Sequence, residues 1–453
     1  MRSRLVRLFR PGPSFITCAM EDEDDKQRPL MLDTNANVEQ RRKFLHKLRL
    51  AYFSGGFCGT ACDRWILYFY LNKNLAPAHI GSIEALKPIA QFAGSQTLAI
   101  LGDKLRGRKW ISINAQVISA SLLMLLLIPP LGCDQCNWSI GLIVCLAAFA
   151  CMPATAVLDV YAIDALVGSC RDDYGKLRLG FALSWGVSGF ITGKLADFDV
   201  RLPFAFYGAC TIFQTMLLIF ILPPGGKSKA SSAQVGVENP KFGDFMRVIA
   251  LPRRLFFLFE MILFGAGLAV IEKCLFVFAM TELGASAELC GLTVLSTTIP
   301  ELPVFYLGHK LLRRLGRDTC FLIVIIAYTI RVGSFCLLRP ENVEMLLLIE
   351  ILHGVIYGLG WLIAVDFWRE DIPQEWTLSS MIVLNVAKDC VGASAGAFLG
   401  GWFLEQGSFA GMKRGRALYS LAATSAIILF ILHSALCVYL RMQGVGSVLA
   451  SKN

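Results

Sequence analysis

The sequence predicts an all-α polytopic membrane protein with twelve transmembrane helices arranged as two pseudo-symmetric six-helix bundles. Three observations predict it. First, apolar runs of about twenty residues recur along the chain, the length at which a helix crosses the hydrocarbon core. The composition agrees: 55% of residues are hydrophobic and 17% charged, with a mean hydropathy of +0.57, whereas soluble chains carry roughly a quarter charged residues. Second, a basic turn, Leu101-Gly102-Asp103-Lys104-Leu105-Arg106-Gly107-Arg108-Lys109, returns in degenerate form as Gly308–Asp318. One offset of 209 residues places Gly107 on Gly316, Lys104 on Arg313 and Arg108 on Arg317, and also Asp63-Arg64 on Glu272-Lys273, as an internal duplication would. Third, a Pro/Gly/Ser/Lys-rich stretch beginning Pro223-Pro224-Gly225-Gly226-Lys227 reads as a linker that divides the apolar runs six and six.

Residues 1–46 read as a disordered cytoplasmic tail, Arg-rich at first and then acidic at Glu21–Asp25. The first bundle covers 47–222. Its spans run from about Leu48 to Asn72, His79 to Leu101, Trp110 to Leu131, Trp138 to Leu166, Leu177 to Leu195 and Leu202 to Leu222. Pro129-Pro130 closes span 3. The linker covers 223–250 and the second bundle 251–441. The latter has spans from about Leu255 to Met280, Leu289 to Leu307, Thr319 to Leu338, Met345 to Trp368, Leu378 to Leu404 and Leu418 to Leu440, followed by a C-terminal tail, 442–453.

Lys and Arg concentrate in one set of loops, around Lys104–Lys109, Arg171–Arg178, Lys227–Arg254 and Lys310–Arg317, while Lys73, Arg201 and Arg339 stand mostly alone in the other. Lys413, Arg414 and Arg416 run against this trend. The bias places both termini and the linker in the cytoplasm. It also accounts for the net charge of +9 by orientation in lipid, without nucleic acid as a partner. Most of the fifteen cysteines are scattered through apolar runs and act there as small hydrophobes. Cys133 and Cys136 share a short loop where a local disulfide or no special role are both open. Asn137-Trp138-Ser139 is a sequon set too close to a span to count as a glycosylation site.

Six plus six spans, a basic turn after span 2, its echo after span 8 and a central linker together resemble the major facilitator superfamily. The family's turn motif is matched by Asp103, Lys104, Gly107, Arg108 and Lys109, with one extra residue before Gly107 and no glycine four before Asp103. Tyr174-Gly175-Lys176-Leu177-Arg178 leading to Trp185-Gly186 is similar to the signature of the MFS_1-like branch. That branch holds nucleoside/proton and oligosaccharide/proton symporter-like permeases and the animal domain-containing-protein-six group. Pro300–Phe305, Tyr328–Arg331 and Leu352-His353-Gly354 are similar to the same branch. The resemblance covers roughly residues 45 to 440. It implies alternating access of two bundles around a midplane site, often driven by protons, with spans 1, 4, 7 and 10 lining the cavity.

Charges inside lipid are costly and need a partner, a cavity or a function. In that architecture Asp63-Arg64 of span 1 and Glu272-Lys273 of span 7 become facing acid–base pairs, able to bind a polar substrate or release a proton, or else serving as buried salt bridges. Asp159 in span 4 is a proton-site candidate. Asp164 lies about 140° round the helix from it and reads as interfacial. Glu84 and Lys87, three apart, face the same way and pair with each other. Glu301 of span 8, between Pro300 and Pro303 that open the helix backbone locally, is the strongest single functional candidate. Lys388-Asp389 of span 11 can neutralise it or each other. His353 of span 10 titrates near neutrality, which suits proton coupling, though a histidine bonded to a neighbouring helix is the plainer reading. Arg331 in span 9 reads as structural. Trp65, Tyr68, Phe276, Trp361 and Trp368 either stack on a substrate ring or pack.

Gly186, Gly189 and Gly193 in span 5, and Gly392, Gly396 and Gly400 in span 11, have the small-residue spacing of close helix contacts where the bundles could rock. Lys104, Arg108, Lys109, Arg313, Gly316 and Arg317 form a cytoplasmic gating motif that bridges helix ends, with Asp103 on a helix N-terminus or an Arg. No cofactor, metal cluster or nucleophile–base set is recognisable, so an enzyme is not expected. The function expected is a secondary active transporter of a small polar organic solute, sugar- or nucleoside-like, coupled to protons, in the plasma membrane or an endomembrane, as a monomer or weak oligomer. The rival is a non-transporting receptor or scaffold on the same fold.

Overall fold

The computed structural model describes residues 35–105, 107–128, 137–151, 158–159, 161–162, 171–222, 242–373, 376–442 and 449. In lipid the backbone must satisfy its own hydrogen bonds, and the apolar runs accordingly form helices. Span 1 is Asn35–Asp63 continued by Trp65–Asn72, span 2 Pro77–Lys104, and span 3 Arg108–Met124 with a 3-10 turn to Leu127. Span 4 is Asn137–Ala150, span 5 Arg171–Phe198 and span 6 Leu202–Ile221. After a linker helix, Phe242–Ile249, come span 7 at Pro252–Glu282, span 8 at Ala287–Leu315 and span 9 at Arg317–Phe335. Span 10 is Pro340–Asp371, span 11 runs from Thr377 to Gln406 and span 12 is Arg414–Met442.

Eight of these helices are long and apolar enough to cross a membrane, and Trp138–Ala150 is a shorter apolar helix. Of the others, span 1 is interrupted at Arg64, while spans 2 and 5 carry the charges of Glu84, Lys87, Lys104 and Lys194. Large apolar side chains such as Phe220, Tyr306, Leu337 and Leu348 are exposed around the outside, as a lipid-facing surface requires.

Local chemistry sets the ends. Ser286 caps span 8 by accepting from the Leu289 amide at 3.1 Å. Pro203 and Pro252 sit in the opening turns of spans 6 and 7, where the missing amide costs nothing. Gly316, at φ +80°, makes the one-residue turn between spans 8 and 9, a backbone state suited to glycine. A two-strand hairpin that the sequence reading did not foresee, β1 (Ser408–Phe409) with β2 (Met412–Lys413), joins spans 11 and 12. Its turn residues Ala410 and Gly411 both have positive φ.

Two expectations change. The tail read as disordered over 1–46 is helical from Asn35, because Phe44 and Leu45 pack onto the core of Leu48, Ala51 and Tyr52. Part of the linker is helical too: Phe245 and Ile249 of the linker helix are buried, with the Phe245 ring 5.1 Å from Trp376. Cys133, Cys136, Asp164 and residues 223–241 lie outside the described residues.

The packing repeats between halves. Span 1 packs on span 5 as span 7 packs on span 11; span 2 on span 4 as span 8 on span 10; span 3 on span 6 as span 9 on span 12. Between the halves, span 5 meets span 8 and span 11 meets span 2. The span 5 glycines face that boundary: a Cβ on Gly189 would lie 2.7 Å from the Val294 side chain, and one on Gly193 2.6 Å from the Ala287 carbonyl oxygen. Gly392, Gly396 and Gly400 do not. They meet Ile262, Ala266 and Cys274 of span 7 in their own half, since small-residue spacing marks a close approach without naming its partner. The glycines that join span 11 to the other half are Gly401 and Gly81, where a Cβ on Gly401 would fall 2.6 Å from Gly81 Cα.

Candidate functional site

Among the described residues, the candidate groups fall into two charge networks. In the first, the acid–base dipeptides exchange partners across the halves. Lys273 donates to Asp63 at 2.8 Å, and Arg64 donates to the Glu272 carbonyl at 2.6 Å with its guanidinium 3.9 Å from the Glu272 carboxylate. Helical neighbours diverge by about 100°, so Asp63 and Arg64 cannot both face one partner, and the duplicated dipeptide meets its copy crosswise. Span 2 enters as well: Lys87 reaches Asp63 at 3.1 Å and Glu84 at 3.3 Å, and Lys273 reaches Glu84 at 3.3 Å. The expected Glu84–Lys87 pair is thus one edge of a four-residue ring. Glu84 is fully buried, but the Asp63 and Glu272 side chains keep 29% and 27% exposure, so they face a crevice rather than packed protein. The buried Arg64 Nε has no hydrogen-bond partner among the described residues.

The second network is a relay across spans 8, 10 and 9. His353 Nε2 lies 3.1 Å from Glu301 Oε1 and Nδ1 lies 2.8 Å from Arg331 Nη1. A guanidinium only donates, so Nδ1 carries the lone pair and the Nε2 proton points at Glu301. Arg331 is held in turn by Glu350, at 3.0 and 2.6 Å. His353 is therefore bonded to neighbouring helices on both sides, and Arg331 orients it. The span 8 helix runs unbroken through Pro300 and Pro303, contrary to the expected opening, and Gly354 packs directly on the Pro300 carbonyl, where a Cβ would sit 2.7 Å from its oxygen. That close approach is what brings His353 to Glu301.

Two π-helical segments flank these groups, Gly354–Leu359 after His353 and Val386–Gly392 around Lys388-Asp389; such bulges are frequent at functional sites. Lys388 pairs with Asp389 and lies over the Trp361 ring at 5.0 Å, leaving Glu301 to His353. Asp159 accepts a hydrogen bond from Tyr52 and is not joined to either network among the described contacts. Trp65, Phe276 and Trp368 are buried in packing, Trp65 5.7 Å from Phe276, and Tyr68 is 6.3 Å from Trp65. A small crevice lined by Ala61, Leu123, Phe204 and Tyr207 is apolar and apart from the charges.

On the linker face, Lys109 donates to the carbonyls of Ile219, at 2.7 Å, and Leu222, closing the end of span 6. Arg317, the echo of Arg108, bonds Asp366 at 2.7 Å and Glu370, at the end of span 10. Lys104, Arg313 and Arg314 are exposed; the side chains of Asp103, Arg108, Tyr174 and Arg178, and the surroundings of Gly175, lie outside the described part. Of the branch signature, Gly186 meets Thr298 of span 8, and the Trp185 ring packs on Gly59.

On the opposite face a device appears that the sequence reading missed. Asp197, at the end of span 5, accepts from the Ala287 and Glu288 amides at 2.9 and 2.8 Å, capping span 8. Glu405, at the end of span 11, accepts from the Ala78 amide at 2.9 Å, capping span 2. Ala78 and Ala287 are again 209 apart, whereas Asp197 and Glu405 are 208 apart, so the capped helix starts are duplicates, and the two carboxylates, displaced by one residue from that register, tie each half to the other.

The sequence matches the model of the MFS_1 like family over residues 48–412. Among solved structures the chain is similar to the nucleoside transporter NupG, with TM-score 0.71 at 16% identity over 86% of this chain and 98% of that one. It is also similar to the peptide transporter POT in complex with sulfate, with TM-score 0.66 at 12% identity over 90% and 96%. At such identities the likeness is one of fold.

Proposed function

Because this chain belongs to the MFS_1 like family, a branch of the major facilitator superfamily, we propose that it is a secondary active transporter of a small polar organic solute, coupled to protons. Its bundles are 47–222 and 251–441, joined by the linker 223–250, and its termini are cytoplasmic. The observation that carries this reading is the crosswise pairing of Asp63-Arg64 with Glu272-Lys273. These charges link two halves that must separate on one side or the other, beside a crevice, and Arg64 retains unused donor capacity. A sugar- or nucleoside-like solute, rich in hydroxyls, matches the mixture of acceptors and donors that Asp63, Glu272 and Arg64 offer.

Glu301 is the proton carrier in this scheme. When ionised it accepts from His353; when protonated it releases that bond and loosens span 8 from span 10. Arg331 occupies the other imidazole nitrogen, so His353 acts as a donor and the extra proton rests on Glu301. Lys388, Asp389 and Asp159 are further polar groups of the pathway.

The test is a solute screen by thermal shift on purified protein at two pH values, repeated with Glu301→Gln. A solute that stabilises the wild type in a pH-dependent manner, and stabilises the variant equally at both values, supports the reading. Absence of any stabilising solute, with the variant unchanged, would favour a receptor or scaffold.

A further inference from the structure

A third buried cluster lies on the linker face, away from both networks. Asp318 opens span 9, and His433 and Cys437 are four apart on one face of span 12. One ligand atom from each of the three falls within 4.8 Å of the others, and their exposures are 7%, 0% and 5%. His433 Nδ1 is held by Glu260 of span 7 at 2.6 Å. With its proton on that carboxylate, Nε2 presents a lone pair to Asp318 Oδ1 at 3.6 Å, and this buried Nε2 has no hydrogen-bond partner among the described residues. Cys437 Sγ lies 3.4 Å from the same oxygen. Three side chains able to ligate a metal thus converge on one point: the Asp318 carboxylate, the His433 imidazole and the Cys437 thiol, which as it stands donates to Asp318.

We propose that Asp318, His433 and Cys437 bind a single zinc-class divalent cation. A tetrahedral ion with bonds of about 2.0 to 2.3 Å spaces its donors about 3.3 to 3.8 Å apart, which is the spacing of Sγ and Nε2 from Oδ1. A thiolate and an imidazole select a borderline ion over magnesium or calcium. A carboxylate on the far nitrogen of a ligating histidine is the usual way its lone pair is aimed at a metal, and Glu260 supplies it. Binding is not a redox event: the Cys437 S–H bond breaks, its proton leaves to water, and a sulfur–metal bond forms, while carboxylate and thiolate balance the ion's two charges. The ion clamps span 9 to span 12. The Leu449 amide donates to the same Asp318 oxygen at 3.0 Å, so the clamp also holds Leu449.

Full-length, tag-free protein stripped by chelator is titrated with Co²⁺ and then Zn²⁺. One equivalent of Co²⁺ with sulfur-to-cobalt charge-transfer absorbance, displaced by one equivalent of Zn²⁺, is expected. Cys437→Ser removes that absorbance, Cys336→Ser keeps it, and Glu260→Gln weakens binding about tenfold. No stoichiometric Co²⁺ binding by the wild type, binding without the charge-transfer band, or a band that survives Cys437→Ser overturns the proposal; the cluster is then a protonated His433 shared by Glu260 and Asp318. The wild-type titration decides this even if a variant fails to fold.

Discussion

Asp63 contacts two lysines, from span 7 and span 2, and is the residue on which the crosswise network turns. Removing one partner of a buried ion pair is costlier than removing both, because the survivor is left uncompensated. Asp63→Asn and Lys273→Met should therefore each lower thermal stability, and the double variant should recover part of the loss, with a coupling of about 1–3 kcal/mol. Strictly additive losses would mean that the pair is not energetically linked. Arg331–Glu350 is a different case: at 1% and 3% exposure it is packed away from the crevice, and its work is to fix His353. Glu350 is the residue most easily overlooked in the sequence, standing three before His353 in an apolar run, and only its contact with Arg331 gives it a role.

At the scale of the element, helix contacts rest on glycine backbones. Gly354 has no room for a Cβ beside Pro300, so Gly354→Ala pushes span 10 from span 8 and lengthens the His353–Glu301 bond. In the solute assay it should abolish the same pH dependence as Glu301→Gln while both carboxylate and imidazole remain; unchanged pH dependence would show that the bond is not needed. The carboxylate caps are a second element-scale device. A hydrogen bond to a charged group contributes about 1.5–3 kcal/mol, so Asp197→Ala with Glu405→Ala should shift the molecule toward opening on the face away from the linker. Spin labels on Asn72 and Ala285, one in each half, are expected to show longer distances in the double variant, and unaltered distances would assign the caps to helix stability alone.

For the whole molecule, one apolar core from Cys58 to Tyr419 joins both halves on the face away from the linker. On the linker face the described residues form two separate cores, around Tyr52 and Leu218 in the first half and Phe257 and Trp368 in the second. The conformation is thus closed on one face, as one end state of a rocking pair would be. The proposed cytoplasmic placement of the termini and the linker predicts that single cysteines replacing Lys310 and Lys73 in intact cells label oppositely: Lys310→Cys only after permeabilisation, Lys73→Cys before it. The reverse pattern would invert the proposed orientation.

The sequence by itself determined the class of fold, because lipid admits little besides apolar helices, and the duplication, because a shared offset survives in Gly107/Gly316 and Asp63/Glu272 without any structure. It also pointed to the charges within the apolar runs, since each is expensive enough in lipid to stand out singly. Partners were a different matter. That Asp63 takes Lys273 rather than its neighbour Arg64, that Glu84 and Lys87 join them, and that the glycines of span 11 serve span 7 were decided only by tertiary structure. The same holds for Asp318, His433 and Cys437, more than a hundred residues apart at their extremes. Periodicity fixes the face a residue occupies on its own helix, but which helix lies opposite depends on how all of them pack together.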